Sequence, residues 1–158
     1  MAWIYFENLD EVIAIHKKTI EVSGGGADGV ISLGSLDCAL DQIQDDLYYP
    51  EFEDKLTHLF WVANKSHGFR DGNKRIAITI CGMFLLKNGF LSVVKEFMLR
   101  MESISYHVAA GNIDKELLHE IITSILYEED FSEELKLKLL EAFSNNLIDD
   151  EVDKSKVK

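Results

Sequence analysis

The chain contains 158 residues, of which 28 are acidic and 16 basic, and its formal net charge is −12. Its hydrophobic content of 47% is that of an ordinary soluble domain and excludes a disordered chain. The length suffices for one domain with a real core and is too short for two ordinary ones. The sequence pI near 4.7 argues against general binding to nucleic acids or anionic membranes, because both depend on an excess of Lys and Arg.

The cysteines and the apolar runs indicate a cytoplasmic protein. Cys38 and Cys81 cannot form a disulfide framework and lack the CxxC spacing of a zinc site. The first residues have neither the basic region nor the small-residue cleavage site of a secretory signal. No apolar run reaches the roughly 18 residues that span a bilayer.

Helical periodicity dominates the first third of the chain. Asn8 is predicted to cap a first helix, which the glycines at 24–26 end. Ser35 is predicted to cap a second helix whose apolar face extends to Leu47. The residue before Pro50 avoids the helical conformation, so this helix is predicted to break there.

The middle of the chain predicts two apolar helices joined by a glycine-containing loop. The first of them stops near Ser66, and the second is closed by Asn88 and Gly89. Residues 90–94 are predicted to form a short extended piece. The apolar stripe of the first of these helices comprises Phe52, Leu56, Leu59, Phe60 and Ala63.

The remainder predicts three further helices. One runs over about 96–110, one starts at Asp114, and Ser132 caps the last. The predicted class is therefore all-α, a compact bundle of six or seven helices.

The domain division follows the change of character along the chain. We expect one domain over 1–127, a C-terminal amphipathic helical extension over 128–148 and a charged tail over 149–158. Most of the acidic excess lies beyond residue 101.

Residues 66–75, which join the two apolar helices, combine features of a phosphate site. The backbone N–H groups from Gly72 to Arg75 are predicted to lie at a helix N-terminus, where unpaired donors and the helix dipole bind anions. Gly72 allows a tight turn and close approach of a ligand. Lys74 and Arg75 add positive charge suited to phosphate oxygens.

The same segment also holds a metal ligand and a base. Asp71 offers the hard oxygen that Mg²⁺ prefers, and His67 is the side chain best matched to accept a proton near neutral pH. Phe69 lies between them and is predicted to anchor the loop in the core. The residues thus indicate a Mg²⁺-dependent nucleotide-phosphate site with a general base; the alternative is a solvated loop with a surface histidine.

Residues 67–75, His-Gly-Phe-Arg-Asp-Gly-Asn-Lys-Arg, resemble the signature of the Fic/Doc family: His, any residue, Phe, any residue, Asp or Glu, Gly or Ala, Asn, Gly or Lys, Arg. The Asn-Lys-Arg ending resembles the death-on-curing (Doc) toxin branch more than the Fic adenylyltransferases. The resemblance runs from about Leu9 to Tyr127.

The resemblance implies a helical fold in which the signature loop opens a central helix. Members of the family transfer part of ATP, with Mg²⁺, to a hydroxyl of a target protein. Fic members move AMP, whereas the Doc branch moves the γ-phosphate to a translation factor and is silenced by an antitoxin that lays a helix into a groove.

The resemblance also implies residue roles. His67 would be the base on the target hydroxyl, and Asp71 would hold Mg²⁺. Arg75 would stabilise charge in the transition state. The phosphates would be bound by Gly72, Asn73, Lys74 and Arg75.

Two further positions bear on the target and the nucleotide. Residues 48–51 lie where the family has a flap that docks the target, so Tyr49 and Pro50 are candidates for target binding. Gly68 replaces a common proline. Ile78 stands where adenylyltransferases carry a second arginine, which favours the Doc-like reaction.

We therefore expect a Doc-like toxin that phosphorylates a translation factor and has an antitoxin partner. An AMP-transferring Fic enzyme and a non-catalytic protein-binding module of the same fold are the alternatives. The restraint could instead be intramolecular, with the acidic C-terminal segment in the groove.

Overall fold

The computed structural model describes residues 3–22, 34–65 and 73–156. In these ranges the chain forms seven α-helices and no strand, which confirms the predicted all-α class. The helices are α1 (Leu9–Val22), α2 (Gly34–Gln42), α3 (Phe52–Lys65), α4 (Asn73–Lys87), α5 (Leu91–Ala109), α6 (Lys115–Tyr127) and α7 (Glu133–Lys156).

Three predicted helix starts are confirmed. The side-chain oxygens of Asn8, Asp114 and Ser132 each accept a hydrogen bond from the backbone N–H three residues on, at 3.2, 2.8 and 3.1 Å. Each bond satisfies one of the donors that a helix start leaves unpaired. The starts of α1, α6 and α7 therefore follow from local sequence alone. The glycines predicted to end α1 lie outside the described residues.

The second helix is shorter than predicted. It begins at Gly34 and ends at Gln42, so Ser35 lies inside it, and the predicted extension to Leu47 is wrong. The Asp45 carboxylate accepts a hydrogen bond from the Leu47 N–H at 2.9 Å, a local turn that competes with helix. Leu47 is 84% exposed, so its apolar side chain contributes nothing to the core.

The end of α4 is a Schellman motif. Gly89 has a φ of 84° and its N–H donates to the Leu86 carbonyl at 3.2 Å. The Phe90 N–H donates to the Leu85 carbonyl at 3.0 Å. These bonds pair two carbonyls that the helix end would leave free. The prediction that Asn88 and Gly89 close this helix is confirmed.

The predicted extended piece at 90–94 is wrong, because α5 already begins at Leu91. The chain reverses within the Schellman motif and returns directly as helix, with the Val93 N–H bonded to the Phe90 carbonyl at 3.2 Å. Val93 and Val94 pack against the core, so tertiary contact overrides the preference of β-branched residues for strands.

Alanine substitutions at two glycines, Gly82 and Gly89, are expected to have opposite effects on stability. Gly89→Ala should lower the free energy of unfolding by about 1–2 kcal/mol, because alanine is strained at positive φ. Gly82→Ala should raise it by about 0.5–1 kcal/mol, because Gly82 is inside α4 and a methyl group would lie 3.7 Å from the Met98 sulfur, an ordinary contact. Urea denaturation measures both; effects of the same sign would contradict this account.

The core lies where α3 and α4 pack against each other and against α5 and α6. The predicted stripe of α3, from Phe52 to Ala63, is buried. Asn88 attaches the N-terminal segment to α4, since its side-chain amide exchanges hydrogen bonds with the Ile4 N–H at 2.8 Å and the Ile4 carbonyl at 3.0 Å.

Helix α7 packs on α5 and α6. Leu135 and Leu139 are buried, and the Phe143 ring stacks on His107 at 4.1 Å between centroids. The helix continues to Lys156, so the predicted domain boundary at 149 does not coincide with a helix end and the division stays a prediction. None of the helices in the described ranges combines the length and apolar character needed to span a bilayer.

Candidate functional site

The signature segment connects α3 to α4. Helix α3 ends at Lys65, as predicted, and α4 begins at Asn73. The residues between them, which include the predicted base His67, the anchor Phe69, the metal ligand Asp71 and the turn residue Gly72, lie outside the described residues. Their roles therefore stay predictions.

The described part of the site is the N-terminus of α4. Asn73 and Lys74 are the first residues of this 15-residue helix, and their side chains are likewise outside the described part. Arg75 is exposed, while Ile76 and Ala77 directly after it are fully buried. The buried pair fixes the first turn against the core and leaves the arginine on the solvent side. A helix start with exposed positive charge can bind an anion.

The C-terminal end of α3, which precedes the signature segment, is attached to α5. Buried Asn64 donates from its side-chain amide to the Ser105 carbonyl at 3.0 Å. The Lys65 ammonium lies 4.8 Å from the centre of the Trp61 ring, a cation–π contact. This role of Asn64 was not predicted, although a polar residue beside the apolar stripe of α3 is a usable signal.

The predicted flap lies between α2 and α3. Pro50 is exposed and Tyr49 is half-buried, with its ring 4.6 Å from the His58 ring. The Tyr49 hydroxyl lies 3.3 Å from Nδ1 of His58. Tyr48, next to it, is 75% exposed. The flap prediction itself is not tested by these contacts.

His58 is the centre of a polar cluster that joins three elements. Its Nε2 lies 2.7 Å from Oε1 of Gln42, and its Nδ1 lies 2.7 Å from Nζ of Lys115. An ammonium only donates, so Nδ1 accepts from Lys115 and the Nε2–H donates to Gln42. Burial, together with the charge of Lys115, lowers the pKa of His58 to about 4, so the ring is neutral at pH 7.

A second buried polar group, the ammonium of Lys55, lies beneath the segment between α2 and α3. Lys55 is fully buried, and its ammonium donates to the Ile43 carbonyl and to the Asp46 carboxylate, both at 2.7 Å. Burial of a lysine is costly unless it is paired and hydrogen-bonded, as here. No local pattern in the sequence predicts that Lys55, His58 and Lys115 contact or support the flap.

An apolar groove of about 790 Å³ begins beside Arg75 and runs between α1, α4 and α5. Ile78, at the position of the second arginine in adenylyltransferases, is in its wall. Three charged residues besides Arg75 line it, namely Glu11, Lys18 and Glu102. The other lining residues are Ala14, Ile15, Thr79, Met83 and Met98.

Comparison with known proteins identifies the family. The sequence profile described as the Fic/DOC family matches residues 5–85, about half of the chain. The chain belongs to the Fic/DOC family. The family match includes the signature at the α3–α4 junction and ends within α4, so it does not test the expected resemblance through Tyr127.

A curated relative in this family has a name that bears on activity. Over 84 residues the chain is 33% identical to "Protein kinase doc" of Escherichia phage P1. The alignment covers 51% of this chain and 65% of that relative. It confirms the predicted likeness to the Doc branch. No solved structure gave a significant match.

Proposed function

We propose that this chain is a Doc-like toxin enzyme of the cytoplasm. It transfers the γ-phosphoryl group of ATP to a hydroxyl group of a target protein of the translation-factor class. The observation that carries the proposal is the complete signature at 67–75, whose last three residues are the first residues of α4. The relative named a protein kinase supports phosphoryl transfer.

In this proposal each signature residue has a distinct role in binding or catalysis. His67 accepts the proton of the target hydroxyl, and Asp71 holds Mg²⁺, which neutralises phosphate charge when bound. Arg75 is exposed at the first turn of α4 and stabilises charge on the transferred group. The phosphates bind at Gly72, Asn73 and Lys74. The flap that contains Tyr49 and Pro50 docks the target.

Ile78 favours phosphoryl transfer over AMP transfer. It lines the groove next to Arg75, so an apolar side chain stands where an adenylyltransferase has its second cation. A nucleotide bound with its phosphates along this face would lack that charge. AMP transfer remains the alternative reaction of the same site, and a non-catalytic binding module the alternative of another class.

Arg75→Ala is expected to lower transfer of γ-phosphate from labelled ATP by about 10²-fold, because a preorganised charge on the transferred group is lost. Since Arg75 is exposed, the fold should be unaffected. Lys65→Ala is the matched control, an exposed cation at the other end of the junction whose ammonium rests on Trp61. Equal activity of the two variants would contradict the role of Arg75.

We propose further that a separate antitoxin helix occupies the groove. The groove is lined mainly by apolar side chains with charged residues among them, which suits an amphipathic helix. The described side chains of α7 pack on α5 and α6 instead, as Lys138 pairs with Glu120 of α6 at 2.9 Å. This placement supports a separate partner over the intramolecular restraint.

Met83→Glu is expected to abolish neutralisation by the antitoxin and leave toxicity unchanged, because it places a carboxylate in the apolar wall. Met83 is 37% exposed, so the unbound protein tolerates the charge. The measurement is growth of cells that co-express the chain with a candidate antitoxin protein. Leu137→Glu on the outer face of α7 is the control. Rescue of Met83→Glu by that protein would exclude the groove as its binding site.

A further inference from the structure

The segment 43–51 between α2 and α3 has no regular secondary structure, yet it is attached at both of its ends. Lys55 of α3 holds its start through the Ile43 carbonyl and the Asp46 carboxylate. His58 of α3 holds its end through ring contact with Tyr49. A loop of this length would otherwise sample many conformations at little cost.

The His58 ring is itself fixed by α2 and α6. Gln42 accepts from Nε2–H, and Lys115 donates to Nδ1. The Lys115 ammonium also lies 5.7 Å from the centre of the Tyr49 ring, so Tyr49 is contacted by both the imidazole and the cation. We call Gln42, Tyr49, His58 and Lys115 the His58 cluster. Each of the two ring nitrogens has a defined partner, which allows one orientation of the ring.

The outer side of the segment is left uncovered. Leu47 and Tyr48 are 84% and 75% exposed, although both are large and apolar. The inner side is therefore fixed by buried polar bonds, whereas the outer side presents apolar groups without partners among the described residues. A loop that is held in place but open on one face is suited to contact another molecule.

Lys115 lies outside the residues that the family profile matches, which end at residue 85. It is the first residue of α6, where the Asp114 cap fixes the backbone. The cluster thus links a segment within the family match to a helix beyond it. Burial of the Lys115 stem lowers the pKa of its ammonium.

We propose that His58 and Lys115 are positioning residues that hold the segment 43–51 in one pose, so that Leu47 and Tyr48 meet the target protein. The role in target recognition rests on the proposed function, whereas the holding of the segment does not. Neither residue takes part in the chemical step. Loss of either should therefore weaken target binding and spare the turnover of bound target.

The test begins with amide hydrogen exchange. The Tyr49 N–H is bonded to the Asp45 carbonyl at 2.9 Å, so its exchange rate reports on the segment. Lys115→Met and His58→Phe should accelerate it about tenfold, because each removes a contact with Tyr49 and a hydrogen bond within the His58 cluster. Lys115→Arg should restore slow exchange, because it keeps a cationic donor. The Glu128 N–H, bonded to the Ser124 carbonyl, should be unchanged in all variants.

The matched control is Tyr127→Phe. The Tyr127 hydroxyl also joins α6 to α3, by donating to the Glu53 carboxylate at 2.7 Å, and Glu53 is outside the segment 43–51. This variant should leave the exchange of the Tyr49 N–H unchanged. If it accelerates that exchange as much as His58→Phe does, the effect is general loosening of the α3–α6 contact and the proposal is overturned.

Transfer kinetics then test the role of the His58 cluster in target recognition. For Lys115→Met, the KM for the target protein should rise severalfold while kcat and the KM for ATP stay unchanged. Unchanged exchange in both cluster variants would overturn the proposal whatever the activity. Accelerated exchange with an unchanged target KM would overturn the role in recognition. Absence of transfer by the wild-type protein would overturn the proposed function and leave the exchange result to decide whether the cluster holds the segment.

Discussion

Replacing His67 with alanine is expected to lower the rate of phosphoryl transfer by about 10²–10⁴-fold, the usual contribution of a positioned general base. A target hydroxyl is a poor nucleophile unless its proton is removed, and an imidazole is the group best matched to do so near pH 7. The measurement is single-turnover transfer of label from γ-labelled ATP to the target, with thermal unfolding to establish that the variant is folded.

His119→Ala is the control for a histidine lost elsewhere. His119 is half-buried, bonded to Asp54 and outside the signature, and its removal should leave transfer within about twofold of wild type. If His67→Ala retains full activity, His67 is not the base and the assignment of the signature residues fails.

Phe52→Ala is expected to lower the free energy of unfolding by about 3–5 kcal/mol, the largest effect on stability in this account. Phe52 is fully buried at the start of α3, and its ring centre lies 4.8 Å from that of Trp3, 5.0 Å from Phe84 and 4.7 Å from Phe90. Its loss leaves a cavity where α3, α4 and the N-terminal segment meet.

Leu47→Ala removes a large apolar side chain that is 84% exposed, so it should change stability by less than about 0.5 kcal/mol. Chemical denaturation of the two variants measures the difference. A loss below about 1 kcal/mol for Phe52→Ala would show that the core does not depend on this aromatic cluster.

The helices were predictable where a local signal marks their limits. The caps at Asn8, Asp114 and Ser132 and the stop at Gly89 place helix boundaries within a residue or two. The predictions were wrong where tertiary contacts, rather than local sequence, determine the secondary structure. The valines after Gly89 suggested an extended piece, yet packing on the core makes them helical.

The candidate site was predictable only for the residues that form one continuous motif in the sequence. The nine residues 67–75 name a family without any knowledge of the fold, and the family match confirms it. The partners of the flap were not predictable, because His58 and Lys115 are 57 positions apart and neither has an unusual neighbour in sequence. The groove likewise depends on how α1, α4 and α5 pack, which no local pattern encodes.

The most direct test of the proposed reaction uses ATP labelled separately at the α- and γ-phosphates. The wild-type chain is incubated with Mg²⁺ and candidate target proteins of the translation machinery, and protein-bound label is measured beside His67→Ala. We expect label from the γ-position alone, and loss of that label in the variant. Label from the α-position would show AMP transfer and contradict the proposed reaction, as would absence of label from both positions.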